Sequence, residues 1–476
     1  MNKKRRQESR DLLALVLEGG LLGVIVLAPL PFGSVAPAAR LALELAALLL
    51  LVTWLARAFI KGVELPPPLV WLGIMGLLGL SCLQTLPLPS AVLGVSAPKA
   101  TEIRRDTEPG LRTRLVEASF LDVDEERFEV AGTLSVDPAA TASALRGGIA
   151  LAALLLVAVT VAATRGVRRL ALALLISAAF QGLYGLSVLV SGHDRIWHVP
   201  KQYGLNSATG TFINRNHFAC LLAMSLACGA GLILSNIRNS RAEEKRSRVL
   251  AWFSPAGSRN LLLGLLLVVG LAGLLLSFSR AGIALGLFAL CLTLVFATGS
   301  RGVGNRVIVA VLVIAAAGLP LAQIGSDRLI QRFERSAEDL QNEGGRLTVW
   351  KDTVRIAADF PLFGTGYGTF AEIYPTYRSP EVRKFYLHTH NDGLQAIAEG
   401  GIVGAGFLIL LALPVVTLTA AGLRGAKGTL GVGFAAGLSA VLLHSLVDFP
   451  FHIPATAATA AILGGALMGM PWSDRD

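Results

Sequence analysis

The feature that most constrains this chain is a series of long apolar segments separated by short charged ones. Of its 476 residues, 53% are hydrophobic and only 16% are charged, with a mean hydropathy of +0.62. This apolar fraction is above that of soluble proteins. Many of the apolar segments run for roughly 18 to 24 residues, the length that a helix needs to cross a bilayer. The sequence therefore predicts an all-α polytopic membrane protein.

Charge and cysteine usage exclude several function classes. In a membrane protein, Lys and Arg mainly report topology, so the net charge of +10 does not indicate nucleic-acid binding. Four cysteines lie inside apolar segments, which leaves neither a disulfide framework nor a metal knuckle: Cys82, Cys220, Cys228 and Cys291. The charged first ten residues precede a segment without a small-residue cleavage site, so the first helix is predicted to be retained.

Hydropathy and charge together predict the topology. About twelve spans are expected, near residues 11–30, 38–57, 69–86, 143–163, 170–190, 215–235, 260–277, 282–298, 307–324, 394–418, 430–446 and 454–470. Basic residues precede the first span and follow every even-numbered one, which predicts cytoplasmic termini. Three long loops fall on the opposite face, where the function is expected: Leu88–Ala142, Ser191–Asn214 and Gly325–Asp392.

These boundaries predict five regions. They are N-terminal transmembrane helices (1–87), an outer loop acting as a lid or structural subdomain (88–142), central transmembrane helices (143–324), a large catalytic loop (325–393) and C-terminal transmembrane helices (394–476). The late loop lies between spans nine and ten and is rich in Arg and Lys. A basic loop with a histidine at the bilayer edge suits an anionic, lipid-attached substrate.

The segment His388–Asp392 reads His-Thr-His-Asn-Asp and directly precedes the tenth span. The imidazole of His390 can exchange a proton near neutral pH, as a general base must. Asp392 or Asp448 could orient it or stabilise its charged form. A structural histidine is the alternative. No third ligand at metal-binding spacing is nearby.

Arg280 lies between two spans with almost no loop. A guanidinium at the membrane boundary is costly unless it reaches water or is paired. It is either a snorkelling anchor or a phosphate ligand. The predicted outer position and the hydroxyls of Ser277 and Ser279 favour a phosphate ligand.

Arg215 and His217 open the sixth span. Backbone N–H groups at a helix N-terminus attract anions, and Arg215 adds a bidentate donor for phosphate oxygens. A polar cap with His217 packed inside the helix bundle explains the same residues. Both interpretations stay open.

Arg346 stands near the start of an amphipathic segment. Its packed face is expected to hold Leu347, Trp350, Val354 and Ile356. A cation at this end opposes the helix dipole, so a negative group should compensate it. That group is either Glu343 or a bound diphosphate.

Two further patterns have less specific interpretations. The glycine-rich segment Phe363–Phe370 does not follow a strand in a βαβ unit, so it does not match a nucleotide-binding fingerprint. Backbone beside a sugar site and a simple turn are the alternatives. His444, Asp448 and His452 are four apart, but Pro450 and Pro454 interrupt the helix. A polar cavity lining is favoured over a metal triad.

Together these patterns resemble the O-antigen ligase and O-antigen polymerase superfamily over roughly residues 200–455. The motifs that carry the resemblance are Thr211–Ala219, Ser277–Arg280, Gly345-Arg346 with Trp350, Phe363–Gly368, His390-Asn391 and Glu399–Gly404. The resemblance implies a GT-C-like glycosyltransferase with a large helical periplasmic loop in the bacterial inner membrane. It implies no cofactor, no nucleotide sugar and no metal.

The resemblance also implies roles for single residues. Arg280 and Arg346 match the diphosphate-binding arginines of the superfamily, and Arg215 is a further match to this role. His390 matches the essential histidine of the superfamily. Supporting roles are expected for Asn391, Asp448 and His217. The donor would be a glycan on undecaprenyl diphosphate, and His390 would take the acceptor proton as the arginines stabilise the leaving diphosphate, with inversion.

The acceptor separates the branches of this superfamily. It is the lipid A core for a ligase, a growing lipid-linked glycan for a polymerase and a pilin-like protein in a third branch. Ligase activity is placed first, and polymerase activity is the alternative. A flippase or transporter of lipid-linked glycans is the alternative from another class. Transporters place charges and broken helices near the midplane, often in two repeats, whereas here the polar groups concentrate outside the spans.

Overall fold

The computed structural model describes residues 11–107, 132–243, 255–297 and 345–471. Nearly all regular structure in these ranges is helical. The sheet that they contain is one antiparallel hairpin of β1 (Arg195–Ile196) and β2 (Val199–Pro200). The predicted span near 307–324 and Glu343 lie outside the described residues.

The helices are numbered in chain order. They are α1 (Leu12–Leu27), α2 (Pro37–Lys61), α3 (Pro68–Thr85), α4 (Ser90–Ser96), α5 (Pro98–Thr107), α6 (Pro138–Arg165), α7 (Arg168–Ser191), α8 (Arg215–Glu243), α9 (Pro255–Leu276), α10 (Arg280–Ala297), α11 (Arg346–Asp359), α12 (Phe370–Tyr377), α13 (Asp392–Leu423), α14 (Gly428–His444) and α15 (Pro454–Gly469).

Membrane-spanning helices dominate the described residues. Eight of them are long and apolar enough to cross a bilayer, and three shorter apolar helices, α1, α14 and α15, accompany them. Every predicted span other than the one near 307–324 coincides with one of these helices. The prediction of an all-α polytopic membrane protein is therefore confirmed.

The chain forms two compact units. Unit 1 comprises Met1–Pro67, Ala150–Glu334 and Pro414–Asp476, and unit 2 comprises Pro68–Ile149 and Arg335–Leu413. Unit 2 thus joins two stretches that are remote in the sequence. The five regions predicted from chain order stay a prediction.

Helix α8 is the centre of unit 1, where it packs against α7, α9, α10 and α14. Small residues allow the close approach of α8 to α14. A Cβ on Gly433 would lie 2.7 Å from the carbonyl oxygen of Ala227, and one on Gly231 would lie 3.1 Å from the Cα of Gly433. Such contacts are typical of helix packing in membranes.

Basic residues after spans two and four of unit 1 pair with acids of α1. Arg57 donates to Asp11 at 3.0 Å. Arg165 and Arg169 both donate to the buried carboxylate of Glu18, at 3.0 and 2.8 Å. These pairs join the C-terminal ends of α2 and α6 and the start of α7 to α1. The cytoplasmic location of these helix ends stays a prediction.

Unit 2 has a core that two of its long loops share. Leu93 and Leu134 from the loop Leu88–Ala142 pack in one cluster with Ile356 of α11 and Phe370 of α12. Asp137 caps α6 by accepting the N–H groups of its first turn. The described part of the loop Leu88–Ala142 is therefore a structural partner of the late loop.

The buried face of α11 differs from the expected one. It consists of Val349, Asp352, Thr353 and Ile356, whereas Leu347 and Val354 are exposed. These four positions follow helical spacing, but two of them are polar. Hydrophobicity alone selected the wrong face because the core of unit 2 uses Asp352 as a hydrogen-bond acceptor.

Candidate functional site

The predicted site residues divide between the units. Unit 1 holds Arg215, His217, Arg280 and Asp448, and unit 2 holds Arg346, His390 and Asn391. Each group forms its own constellation, and each is described separately.

A chain of hydrogen bonds joins three segments of unit 1. Asp448 accepts from the side-chain amide of Asn216 at 2.7 Å, and the amide oxygen of Asn216 accepts from the Ser279 hydroxyl at 2.8 Å. Asn216 is the second residue of α8, and Ser279 immediately precedes α10. The chain therefore holds together the two helix starts, whose first residues are Arg215 and Arg280.

Both helix starts are capped by side chains. Asn214 accepts the N–H of Asn216 at 2.8 Å, and Ser279 accepts the N–H of Gly282 at 3.3 Å. Ser277 donates to the backbone of α9 and accepts from Ser279. The two serine hydroxyls that we expected to favour phosphate binding are thus used within the protein to shape the turn before Arg280.

Two buried histidines flank the Asp448 carboxylate. The Nε2 atoms of His217 and His444 each lie 4.0 Å from one of its oxygens. The ring of His217 also meets Phe449 edge-on, with centroids 4.6 Å apart. Within the described ranges, no three His, Cys, Asp or Glu side chains form a group that could hold a metal ion. The metal-free reaction stays a prediction.

The turn that carries His390 in unit 2 is anchored next to the histidine. The carbonyl of Thr389 accepts from the Trp350 indole at 2.9 Å, and its N–H donates to the Gln395 side chain at 3.1 Å. The Thr389 hydroxyl bonds to the backbone of Asn391. His390 therefore lies between two residues that are held by α11 and α13.

The backbone at His390 is in the left-handed region, with φ of +56°. Histidine and asparagine are among the few residues enriched there, and strained positions of this kind cluster at functional sites. Asn391, which follows, caps α13 by accepting the N–H of Leu394 at 3.0 Å. The left-handed backbone conformation therefore sets the direction in which the His390 side chain leaves the turn.

Arg346 and His390 share a neighbour, Tyr386. The Tyr386 ring meets the His390 ring edge-on, with centroids 5.9 Å apart. Burial raises the pKa of the Tyr386 phenol, and the positive charge of Arg346 opposes that shift. Arg346 precedes Trp350 by one helical turn, so the contact of Trp350 with Thr389 brings the start of α11 to the histidine turn. A cation and an imidazole therefore face one small region of unit 2.

The glycine-rich segment Phe363–Phe370 encloses a carboxylate. Glu399 accepts the N–H groups of Gly368 at 2.9 Å and Phe370 at 3.1 Å, and it also accepts from Gln395 at 3.0 Å. The anion in this cradle is thus part of the protein. The segment forms a turn around a buried acid of α13, and its favoured interpretation as backbone beside a sugar site stays a prediction.

Close backbone contacts explain the glycines of this turn. Gly364 has φ of +69°, and a Cβ there would lie 2.2 Å from the carbonyl carbon of Glu399. Gln84 of α3 donates to the carbonyl oxygens of Phe363 and Glu399, at 2.6 and 2.9 Å. The turn is therefore fixed to two spans of unit 2.

Several of these residues were not predicted as site residues from the sequence, although Asn216 and Glu399 belong to motifs that carry the resemblance. An acid inside an apolar span, such as Glu399, is itself a signal of a functional or buried polar role. Asn216 and Tyr386 give no such signal, because their partners Asp448 and Arg346 are remote in the sequence.

A comparison with known families adds one finding. A family model described as O-Antigen ligase matches residues 265–410. This range includes Arg280, Arg346 and His390, and it excludes Arg215, His217 and Asp448. No curated relative matches the chain.

Proposed function

Because residues 265–410 match a family model described as O-Antigen ligase, we propose that this membrane protein transfers a glycan from undecaprenyl diphosphate to an acceptor hydroxyl. The match supports a glycan-processing membrane protein of the ligase or polymerase type. The finer proposal is a GT-C-like, metal-independent and inverting ligase at the periplasmic face of the bacterial inner membrane. Its acceptor would be the lipid A core.

The observation that carries the proposal is the arrangement of Arg346 and His390 around Tyr386 in unit 2. His390 sits in an anchored turn, two residues before Asp392, the first residue of α13, and Arg346 brings a permanent positive charge to the same region. A general base beside an anion-binding cation is the pair that glycosyl transfer from a diphosphate requires.

The chemistry follows from these two groups. The acceptor oxygen forms a bond to the anomeric carbon, and the bond from that carbon to the phosphate oxygen breaks. His390 takes the hydroxyl proton, and the electron pair leaves on the diphosphate. Arg346 then stabilises a charge that is larger in the transition state than in the donor, which lowers the barrier. Each charge-assisted hydrogen bond contributes about 1.5–3 kcal/mol.

Within unit 1, Arg280 and Arg215 are the residues that we propose to bind diphosphate. Each is the first residue of its helix, where backbone N–H groups also favour an anion. The Asp448–Asn216–Ser279 chain keeps these two helix starts adjacent. We propose that both arginines bind diphosphate oxygens, that Asp448 and His217 support them, and that Asn391 supports His390 within unit 2.

Reconstitution tests the proposal. Purified protein in lipid discs would receive an undecaprenyl-diphosphate glycan and a lipid A core acceptor, and the products would be separated by size. One added glycan is expected for a ligase. A ladder on the lipid-linked glycan would indicate a polymerase. Absence of any new glycosidic bond, with donor moved across the membrane, would indicate a flippase.

A pair of variants tests the role of the histidine. His390→Ala should lower the rate of transfer at least about 100-fold, since general base catalysis contributes that much or more. His388→Ala, two residues away, is the matched control and should retain transfer. Near wild-type transfer by His390→Ala would end the proposed mechanism.

A further inference from the structure

Residues Arg383–Leu387 form an exposed strip in unit 2 with an unusual composition. Arg383 and Lys384 are exposed, and two large apolar side chains follow them, with Phe385 67% and Leu387 59% exposed. Tyr386 between them points inward, against Tyr374 and His390. The strip thus alternates an inward aromatic residue with two apolar residues that face away from the core of unit 2.

Both ends of the strip are fixed, so its exposed side chains cannot simply turn inward. Upstream, the backbone and hydroxyl of Ser379 donate to the buried carboxylate of Asp352, at 3.0 and 2.6 Å. Val382, which is buried, follows. Downstream, Thr389 is held by Trp350. The exposure of Phe385 and Leu387 is therefore built into the fold of unit 2.

The position of the strip along the chain limits its distance from the bilayer. Leu387 is five residues before Asp392, the first residue of the membrane-spanning helix α13. Five residues of extended chain reach at most about 18 Å. A bilayer is about 40–45 Å thick when the polar headgroup layers on both sides of its hydrocarbon core are included. The strip is therefore within reach of the lipid headgroups.

We infer that the strip Arg383–Leu387 docks on the bilayer surface, with Phe385 and Leu387 at the boundary of the acyl chains and Arg383 and Lys384 on lipid phosphates. Exposed apolar side chains beside cations are the composition of interfacial membrane anchors. Cations near the surface are attracted to anionic lipids, and their long stems let the charge reach the headgroups. The charge and the apolar surface thus both fit a lipid surface.

This contact would fix the height of the histidine turn. Tyr386 ties the strip to His390 through ring contact, and only two residues separate Leu387 from His390. A strip resting in the headgroups would hold the imidazole at the membrane boundary, whatever lipid-attached molecule it acts on. The inference depends on α13 spanning the membrane and does not depend on the proposed reaction.

Depth-dependent fluorescence quenching tests the inference on the full chain. Phe385→Trp protein would be placed in lipid discs of phosphatidylcholine and phosphatidylglycerol in equal parts, with bromine atoms on the upper acyl chains of the lipids. Glu381→Trp, at an exposed position upstream of the buried Val382, is the matched control. The signal of the native tryptophans is subtracted with wild-type protein. We expect the indole introduced at 385 to be quenched about twofold more than that at 381, as for side chains buried in the interface.

Lipid charge provides the second arm. In the Phe385→Trp background, Arg383→Gln with Lys384→Gln should lower the quenching, and discs of phosphatidylcholine alone should lower it in the parent. Leu387→Trp repeats the test if Phe385→Trp does not fold. Equal quenching at 381 and at 385 or 387 would overturn the inference. So would quenching that arises only when an anionic glycolipid is added to neutral discs, since that result indicates a ligand instead of the bilayer surface.

Discussion

At the scale of single residues, His390 combines a backbone requirement with a chemical one. Its φ of +56° favours the few side chains that tolerate the left-handed region, and asparagine is one of them. His390→Asn should therefore keep the fold of the turn and still remove the base. We expect a thermal midpoint within a few degrees of wild type and a fall in transfer of at least about 100-fold.

The control for this prediction is His388→Asn. His388 lies near the Gln395 amide, with 3.3 Å between Nδ1 and Nε2, and its backbone is not left-handed. This variant should retain transfer. Equal activity losses in both variants, with equal losses of thermal stability, would show that the turn matters only as structure.

Asp352 gives a prediction for pH. Burial opposes ionisation of this carboxyl, but hydrogen bonds from Ser379, Arg355 and Tyr374 together hold its pKa below the ordinary value of 3.8. Because the pKa of Asp352 is lower in the folded protein than in the unfolded chain, the ionised carboxylate stabilises unit 2 at pH values above 3.8. This stabilisation is lost as the pH falls through the pKa of the folded state.

Asp352→Asn should accordingly lower the free energy of unfolding by about 2 kcal/mol at neutral pH. The difference from wild type should shrink as the solution is acidified below pH 3.8. Denaturant unfolding in detergent across this range measures both. A difference that stays constant down to the lowest pH would contradict the role of the charge.

At the scale of elements, the starts of α8 and α10 are joined by one side chain. Asn216 donates to Asp448 and accepts from Ser279, so it positions the arginines that begin the two helices. Ser279→Ala removes one of these two hydrogen bonds and should lower transfer about tenfold. Asn216→Ala removes both and should lower transfer at least as much. The double variant should be hardly worse than Asn216→Ala alone, because the bond between the two residues is already lost in that variant.

Fluorescence-detected gel filtration would check that the three proteins are folded. Donor titration would separate positioning from stability, since misplaced arginines act on transfer while the midpoint of unfolding changes little. Strictly additive losses in the double variant would show that the two residues act independently.

The glycine-rich turn of unit 2 gives a stability prediction. Gly364→Ala places a Cβ 2.2 Å from the backbone of Glu399 at a φ of +69°. The combined strain and overlap should lower the free energy of unfolding by about 3 kcal/mol or more. Gly94→Ala in α4 has no atom within 4 Å of its new Cβ and should be neutral or stabilising. Equal effects of Gly364→Ala and Gly94→Ala on the free energy of unfolding would mean that the turn can rearrange without loss of stability.

The positions of the membrane-spanning helices were the most predictable part of this structure. The length and hydropathy of each apolar segment are local properties, and they suffice to place the spans. The face of α11 was less predictable. Asp352 is buried there because Ser379 and Tyr374, which come from elsewhere in the chain, donate to its carboxylate. Thr353 is buried beside it and donates to the carbonyl of Val349 within the helix.

For the whole molecule, orientation is the property to test. Tyr203 in the loop Ser191–Asn214 is exposed, as is Arg424 between α13 and α14. The positive-inside rule predicts that they lie on opposite sides of the membrane. A membrane-impermeant maleimide should label Tyr203→Cys in intact spheroplasts and Arg424→Cys only after lysis. The opposite pattern would place the histidine turn in the cytoplasm.

The candidate site shows the limit of sequence reasoning for the whole chain. The types of residue at His390, Arg346, Arg280 and Asp448 follow from chemistry and resemblance. The core shared by the loops Leu88–Ala142 and Gly325–Asp392 does not, because Leu134 and Phe370 of α12 belong to one hydrophobic cluster although about half of the chain separates them. Residue patterns identify reactive groups, and only the tertiary contacts identify their neighbours.

The cradle around Glu399 has a consequence for biogenesis. A carboxylate entering a bilayer without partners is costly. Synthesis runs from the N-terminus, so the backbone donors at Gly368 and Phe370 exist before Glu399 leaves the ribosome. The acid can thus be met on arrival by groups already translated, and insertion of α13 becomes the step that locks the preceding loop in place.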